Sequence, residues 1–473
     1  MSSLSQLRRA SASPTTVLAI VSAGVIVASL DLFIVNVALP DLARDLGEPD
    51  LSALSWVLNA YAIVYASLLV LFGRLADRYP RELGFLLGLA IFVAASAACA
   101  AADSVETLVA ARVVQAAGAA LLTPTSLGLI LATAPPERRA SSVRAWTAMG
   151  GLAAALGPVV GGLLTEASWR WVFIVNVPIG VIALIAGWRL LPRVPGHPIA
   201  RPDALGALLV TLGVGALSLG LVKGDDWGWA SASTAGTLVA AAVLLGAFAL
   251  RCVRHDNPLV SPALFRVRAF TGSSVAMLLF SAGFGAMLLS VVLWAEGVWG
   301  WSALKTGLGI APGPLMVPLF AFGVSGRLID RLGAGRVSVA GMLLFAAGIV
   351  WWSVAVTVEP NYLTGVVPGM LLTGAGVGLT LPTLMATATG ALGPEQFAAG
   401  SGVVNMFRQV GLAIGVAALV AVLGDPAGGQ AALDAFRTGW LVTAAFSVVG
   451  AGVALALLVR RVPAAEPAAA VSG

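Results

Sequence analysis

The feature that most constrains this chain is a series of long, continuous apolar stretches. About fourteen of them can be recognised, centred near residues 28, 62, 92, 116, 154, 181, 212, 241, 282, 314, 346, 373, 411 and 448. A helix that crosses a bilayer needs about 20 apolar residues, and these stretches have that length without the alternation typical of strands. Only 10% of the residues are charged, whereas soluble domains have about 25%. We therefore predict an all-α integral membrane protein with fourteen transmembrane helices.

Basic residues are distributed unevenly between the two sides of the predicted membrane. If the N-terminus lies inside, the inner segments hold twenty of the 27 lysines and arginines and the outer loops hold five. The remaining two, Arg112 and Arg408, lie within apolar stretches. The positive-inside rule then assigns both termini to the cytoplasm. Because this topology explains the net charge of +5, we expect no nucleic-acid partner.

Asp31 is an acid inside the first apolar stretch. A carboxylate at that depth costs several kcal/mol unless it faces protein or water, so such acids usually mark functional sites. Both histidines, His197 and His255, fall in predicted loops, which leaves no histidine relay for protons. We expect Asp31 to carry protons or to contact a cationic substrate, and Arg112 to control its charge. A purely structural pairing of the two side chains is the alternative.

A short motif occurs twice and suggests an internal repeat. GRLADR, from Gly73 to Arg78, follows the second apolar stretch, and GRLIDR, from Gly326 to Arg331, follows the tenth. Repeats related by an axis along the membrane normal are a known transporter design. We therefore predict a six-helix bundle at residues 1–191, a linker with two inserted helices at 192–268, a second six-helix bundle at 269–461 and a disordered tail at 462–473. If the segment 204–250 lay on the membrane surface, twelve helices would remain.

Several longer motifs carry a resemblance to a known family. They are the segment from Leu30 to Pro40, the loop from Gly73 to Arg81, the segment from Leu108 to Ala120, GPVVGG from Gly157 to Gly162, and WRWVFIVNVPIG from Trp169 to Gly180. Together they resemble the fourteen-helix drug:proton antiporter branch of the major facilitator superfamily. The resemblance spans roughly residues 17–460, and the last motif is the most specific.

This resemblance implies roles for individual residues. Asp31 and Arg112 would couple transport to protons. The two copies of the loop motif and the fifth predicted helix would act in gating and in packing of the bundles. The residues concerned are Gly73, Asp77, Arg78, Arg81, Gly157, Pro158, Gly161, Gly162, Gly326, Asp330 and Arg331. The expected substrate cavity lies at the midplane between the bundles. Polar residues within or near the apolar stretches are its candidate lining: Asn36, Gln115, Asn176, Glu296, Asn405, Arg408 and Gln409.

The expected function is proton-driven export of amphipathic drugs or antibiotics across a bacterial cytoplasmic membrane. An exporter of an endogenous natural product, lipid or metabolite on the same fold is the main alternative, and a membrane receptor or channel is a second one. No phosphate-binding loop with a lysine occurs, so ATP is not expected as the driving force. We also expect a monomer without enzymatic activity, cofactor or metal, whose partners are protons, the substrate and the lipid bilayer.

Overall fold

The computed structural model describes residues 13–47, 51–197, 203–424 and 429–459, and these ranges are almost entirely helical. The N-terminal half contains α1 (Pro14–Leu46), α2 (Leu51–Arg78), α3 (Arg81–Ala100), α4 (Val105–Thr133), α5 (Pro136–Thr165), α6 (Trp171–Ile174) and α7 (Asn176–Leu190). The short α6 leads directly into α7, so the two form one span. The inserted segment contains α8 (Ala204–Trp227) and α9 (Ala232–Arg254).

The C-terminal half repeats this arrangement with more interruptions. It contains α10 (Arg268–Leu293), α11 (Ala303–Ile310), α12 (Pro312–Pro318), α13 (Ser325–Leu332), α14 (Ala334–Ala355), α15 (Val367–Gly390), α16 (Phe397–Leu423) and α17 (Gly429–Leu458). The helices α11, α12 and α13 form one bent span, joined by a π-helical turn at Leu319–Val324. Pro312 and Pro318 contribute to the bend, because a proline lacks the backbone N–H that continues a helix.

Thirteen stretches of the described residues are long and apolar enough to cross a membrane. The helix α5 has 30 residues and packs lengthwise against α1, which gives the fourteenth predicted span. The observed all-helical architecture confirms the predicted fold class. The inserted pair α8 and α9 consists of two such stretches, and α8 packs between other spans, so a location on the membrane surface does not fit it.

Helix packing repeats between the two halves. The pair α3–α4 corresponds to α14–α15, and the pair α1–α5 corresponds to α10–α16. Both bundles rely on glycines where backbones meet: a Cβ on Gly88 would lie 2.9 Å from the carbonyl oxygen of Gly118, and one on Gly348 would lie 2.5 Å from that of Gly369. Small residues that let backbones approach closely are the usual means of packing helices in a membrane.

Contacts between the halves follow the same pseudo-symmetry. On one side α2 packs against α16, and on the other α5 packs against α11, α12 and α15. The inserted helix α8 lies at the first of these seams and contacts both α2 and α16. At the inner end of the insert, Arg251 pairs with Asp203 through bonds of 2.5 and 2.8 Å. At its other end Lys223 donates to Asp226 at 2.6 Å and lies over the ring of Trp56.

The tryptophan and arginine of the WRWVFIVNVPIG motif fix the opposite end of the N-terminal bundle. Trp169 Nε1 donates to the Asp45 carboxylate at 2.8 Å, and Arg170 forms an ion pair with the same group. Arg170 Nη2 also donates to the carbonyl oxygen of Ala102 at 3.3 Å. The hydrogen bonds from Trp169 and Arg170 lower the pKa of Asp45 below its ordinary value of 3.8. The motif thus joins α1, the α3–α4 loop and the start of α6.

Candidate functional site

Asp31 lies on α1 and is completely buried inside the N-terminal bundle. Its carboxylate accepts hydrogen bonds from three side chains on two other helices. Arg112 Nη1 pairs with Oδ2, while Gln115 Nε2 and Asn176 Nδ2 donate to Oδ1 at 2.9 and 2.8 Å. Arg112 and Gln115 are three residues apart on α4 and therefore project from the same face of that helix. A buried charge needs both a counter-ion and hydrogen bonds, and Asp31 has both.

A second set of contacts fixes the donors themselves. Arg112 Nη1 donates to Gln115 Oε1 at 2.6 Å, and Gln115 Nε2 also reaches Ser96 Oγ at 2.8 Å. Arg112 Nε donates to the backbone carbonyl of Val57 at 3.1 Å, and its guanidinium carbon lies 4.1 Å from the centre of the Tyr61 ring. Within the described part of the chain, Arg112 Nη2 is buried without a hydrogen-bond partner. The cluster is therefore well connected, but its arginine keeps one uncommitted donor.

A cavity lies between the two bundles. The N-terminal bundle contributes Val25, Ala28, Ser29, Leu32, Tyr61, Tyr65, Thr123, Trp146, Thr147 and Gly150, and the C-terminal bundle contributes Met277, Leu381, Met385, Asn405, Arg408 and Gln409. Tyr61 is the link to the Asp31 cluster, because its ring contacts Arg112 and also lines the cavity. Tyr61 stacks on Tyr65 with ring centres 5.9 Å apart, so two aromatic rings form this wall.

The structure separates the seven candidate lining residues into groups. Asn405, Arg408 and Gln409 line the cavity between the bundles. Gln115 and Asn176 do not, because their amide groups are bonded to Asp31 instead. Glu296 lies in a π-helical turn after α10, among residues that do not line the cavity. The side chain of Asn36 lies outside the described part of the structure, as does that of Pro158.

Sequence reasoning missed three residues that complete the site. Ser96 supports Gln115, Tyr61 separates Arg112 from the cavity, and Trp146 lines the cavity while donating to Ser126 Oγ at 3.2 Å. One signal could have found Tyr61 and Tyr65. Aromatic residues with a polar tip gather at membrane interfaces. These two tyrosines instead lie near the middle of the second apolar stretch.

Asp77 joins the end of α2 to the start of α16, across the seam between the two bundles. Its buried carboxylate, at the end of α2, accepts from the backbone N–H groups of Ala398 and Ala399 at 3.0 and 2.7 Å. These are free donors in the first turn of α16, where the helix dipole also favours an anion. Arg81 Nη2 approaches the same carboxylate at 3.5 Å. Gly73 permits this contact, because a Cβ there would lie 2.8 Å from the carbonyl oxygen of Ala398.

The second copy of the motif makes a different set of contacts. Asp330 and Arg331 are exposed on α13, and Asp330 interacts electrostatically with Arg144 on α5. A Cβ on Gly326 would lie 4.0 Å from Arg144 Nη2 on α5, so this arginine is the side chain across the seam that comes closest to Gly326. Further out along α5, Gly157 and Gly161 are buried, and a Cβ on Gly162 would lie 3.4 Å from Leu304 Cδ1. The two inner seams are therefore not equivalent.

Comparisons with known proteins agree with this architecture. A family model for the Major Facilitator Superfamily matches residues 21–416 and 274–473. The chain is 34% identical to a methylenomycin A resistance protein of Bacillus subtilis, over 85% of this chain and 86% of that protein. It is 35% identical to the cephamycin export protein CmcT of Amycolatopsis lactamdurans, over 88% and 87% of the two chains.

Solved structures extend the likeness to the fold. The crystal structure of the human organic anion transporter MFSD10 has a TM-score of 0.66 at 15% identity, over 93% of this chain and 99% of that one. A double tryptophan variant of XylE has a TM-score of 0.66 at 12% identity, over 93% and 94% of the two chains. The family model matches most of the chain, and the two bundles with a cavity between them are consistent with that family. This chain is a multi-pass membrane protein and belongs to the major facilitator superfamily.

Proposed function

We propose that this chain exports small amphipathic compounds from the cytoplasm in exchange for protons. Relatives named for antibiotic resistance or export support the direction of transport and the kind of substrate. The single observation that carries the coupling is the position of Asp31. It is a buried carboxylate paired with Arg112, and that arginine contacts the ring of Tyr61, which lines the cavity.

The proposed coupling step changes the charge of the Asp31 cluster. A proton that reaches Asp31 from outside neutralises the carboxylate, and Arg112 then loses its counter-ion. The guanidinium has an uncommitted Nη2 and rests against Tyr61, so its displacement acts on the cavity wall. Proton binding would thereby favour release of the substrate, and loss of the proton to the cytoplasm would restore the ion pair. Substrate and proton compete through the ring they share.

Alternating access would arise from movement of one bundle against the other. In the present conformation the inner end of α2 is bonded to α16 through Asp77, so this seam is closed on the inner side. Opening to the cytoplasm must break those two hydrogen bonds. The distribution of basic residues supports cytoplasmic termini and therefore assigns the Asp77 contact to the cytoplasmic face. Protons would supply the driving force, with a single chain as the transporting unit.

The proposal can be tested in inside-out membrane vesicles with a pre-formed pH gradient. Candidate drugs are added one at a time while a quenched dye reports the gradient. Wild-type vesicles should lose quenching with some compounds, whereas vesicles with Asp31→Asn should not. Asp434→Asn is a matched control, because Asp434 is an exposed acid whose side chain is 62% accessible and which pairs with Arg437.

Exchange without a gradient separates coupling from folding. Asp31→Asn protein in liposomes should still exchange labelled substrate for unlabelled substrate, because this reaction requires the cavity but no net proton movement. Full proton-coupled export by the Asp31→Asn variant would disprove the proposed role of Asp31.

Export of a compound made by the host cell itself is the second candidate function. It is favoured by relatives that are named as a cephamycin export protein and a probable actinorhodin transporter. Deletion of the gene should then lower the amount of one endogenous compound in the medium and raise it in the cells. Unchanged metabolite profiles combined with altered resistance to added drugs would favour the first function.

A further inference from the structure

The charge of the central cavity differs from that of the Asp31 cluster. Among the residues that line the cavity, Arg408 is the one that carries a formal charge, and the set contains no carboxylate. The polar remainder consists of hydroxyl groups, amides and the indole of Trp146. Asp31 does not balance Arg408, because its oxygens are occupied by Arg112, Gln115 and Asn176. The space available to a substrate is therefore cationic.

Arg408 has no counter-ion among the described residues. It lies in the middle of α16, away from the carbonyl-bearing end that would favour a cation, and its Nε is buried without a hydrogen-bond partner. Arginine stays protonated at any physiological pH. The side chain of Arg408 is only partly buried, so its guanidinium is open to the cavity. The planar fork of a guanidinium binds carboxylates and phosphates through two parallel hydrogen bonds.

The surroundings of Arg408 suit an anion attached to an apolar body. Tyr65 belongs to the same wall, and its hydroxyl is already hydrogen-bonded to Thr123 Oγ1 at 3.0 Å. Gln409 and Asn405 add neutral polar groups beside the guanidinium, and Met277 and Met385 supply adaptable apolar surface opposite the aromatic rings.

We propose that the central cavity selects amphipathic organic anions, whose acid group binds the guanidinium of Arg408 while the apolar part packs against Tyr61, Tyr65 and Trp146. The inference rests on the proposed function and specifies its substrate class. It also has an electrical consequence. Export of an organic anion and import of a proton both move net positive charge inward, so an inside-negative potential drives both half-reactions.

The experiment compares matched compounds that differ in one group. Each of several polycyclic aromatic scaffolds is prepared as a carboxylate, its methyl ester and a primary amine, and binding to the purified full chain is measured by titration calorimetry. The carboxylate should bind at least about tenfold more tightly than the ester of the same scaffold. Arg408→Gln should remove this ratio, and Arg408→Lys should retain part of it. Arg437→Gln, a partly exposed arginine that is paired with Asp434 and does not line the cavity, is the control and should leave the ratio unchanged.

Several outcomes would overturn the inference. Equal or tighter binding of esters or amines would do so, as would failure of every carboxylate to bind or an acid-to-ester ratio that Arg408→Gln leaves intact. Competition with sodium phosphate and with chloride identifies an inorganic site: displacement of every scaffold by either salt at equal ionic strength would show that the apolar body is irrelevant and would also overturn it.

Transport in liposomes distinguishes this inference from the function on which it rests. Carboxylate binding that requires Arg408, without proton-driven movement of any compound, would contradict the proposed function alone. Proton-driven export of amines by both the wild type and Arg408→Gln would contradict the inference alone. If both hold, an inside-negative potential imposed by a potassium gradient should accelerate proton-driven export of the carboxylates.

Discussion

At the scale of single residues, the molecule keeps its two deep arginines in opposite situations. Arg112 has a carboxylate, an amide, a backbone carbonyl and an aromatic face around it, whereas Arg408 faces a cavity without a described acid. The sequence predicted both as deep charges, and the family resemblance implied a coupling role for Arg112 and a place in the cavity lining for Arg408. It did not indicate which of the two would have an acid beside it. The helices around them are apolar on nearly all sides, so no amphipathic pattern indicates which way a polar residue turns.

The interdependence of Asp31 and Arg112 can be measured with a double-mutant cycle. Removing one partner of a buried ion pair typically costs about 3–5 kcal/mol, whereas removing both can be nearly neutral. Arg112→Gln should therefore lower the midpoint of thermal unfolding in detergent strongly. The double variant Asp31→Asn, Arg112→Gln should recover most of the loss. If the double variant is as unstable as the sum of the two single variants, the pair does not act as a unit.

The pH dependence of Asp45 follows from its contacts. Hydrogen bonds from Trp169 and Arg170 lower the pKa of Asp45 below 3.8. A depressed pKa contributes stability above the ordinary value, and this contribution disappears as the pH falls through the lower, folded-state value. The thermal midpoint of Asp45→Asn should thus lie below that of the wild type at pH 7, and the two should converge below about pH 3.8. Asp256 is an exposed acid in the linker, so the thermal midpoint of Asp256→Asn should equal that of the wild type already at pH 7.

At the scale of elements, the two copies of the repeated motif have diverged in their contacts. Asp77 caps the first turn of α16, which begins at Phe397 just before the two donors. The helix α5 that faces Asp330 begins with Pro136 after Pro135, and proline has no N–H to donate. The sequence predicted a gating role for both aspartates, whereas the structure shows a capped helix at only one of the two described seams.

This asymmetry predicts unequal effects of the same substitution. A carboxylate at a helix N-terminus contributes about 0.3–2 kcal/mol, so Asp77→Asn should raise the population open to the cytoplasm roughly two- to thirty-fold. A cysteine at Thr147, in a chain that lacks Cys99 and Cys252, would report this through its labelling rate with an impermeant maleimide from the inner side. Asp330→Asn should change the rate less. Equal acceleration by both variants would contradict the difference between the seams.

At the scale of the whole molecule, the fourteen apolar stretches and the paired motifs were enough to predict the fold. Helix number, the two bundles and the two inserted spans depend on length, hydropathy and repeats, which the sequence records directly, and the major facilitator architecture was implied by the resemblance of the motifs. The sequence does not record directly how each helix is rotated about its axis or which residues it therefore faces. For this reason Gln115 and Asn176 were expected in the cavity but are bonded to Asp31.

The orientation of the chain remains a prediction that topology reporters can check. Alkaline phosphatase fused after Gly228, in the turn between α8 and α9, should be active because this turn is expected outside. Fusion after Pro258, beyond α9, should be inactive, and a fluorescent protein there should fold. The reverse result at Gly228 would return the segment 204–250 to the inner surface and remove two spans from the count.

The position of α8 has a consequence for molecules dissolved in the bilayer. Because α8 covers the seam between α2 and α16, lipid on that flank meets an inserted helix rather than the joint between the bundles. On the opposite flank α5 meets α11 and α12, and neither inserted helix contacts these elements among the pairs that pack closely. A lipophilic compound that approaches from the bilayer therefore meets α8 on one flank and the joint between the two bundles on the other. The two flanks of the protein thus differ in what they present to lipid, and we expect a compound that enters from the bilayer to do so at the α5 flank.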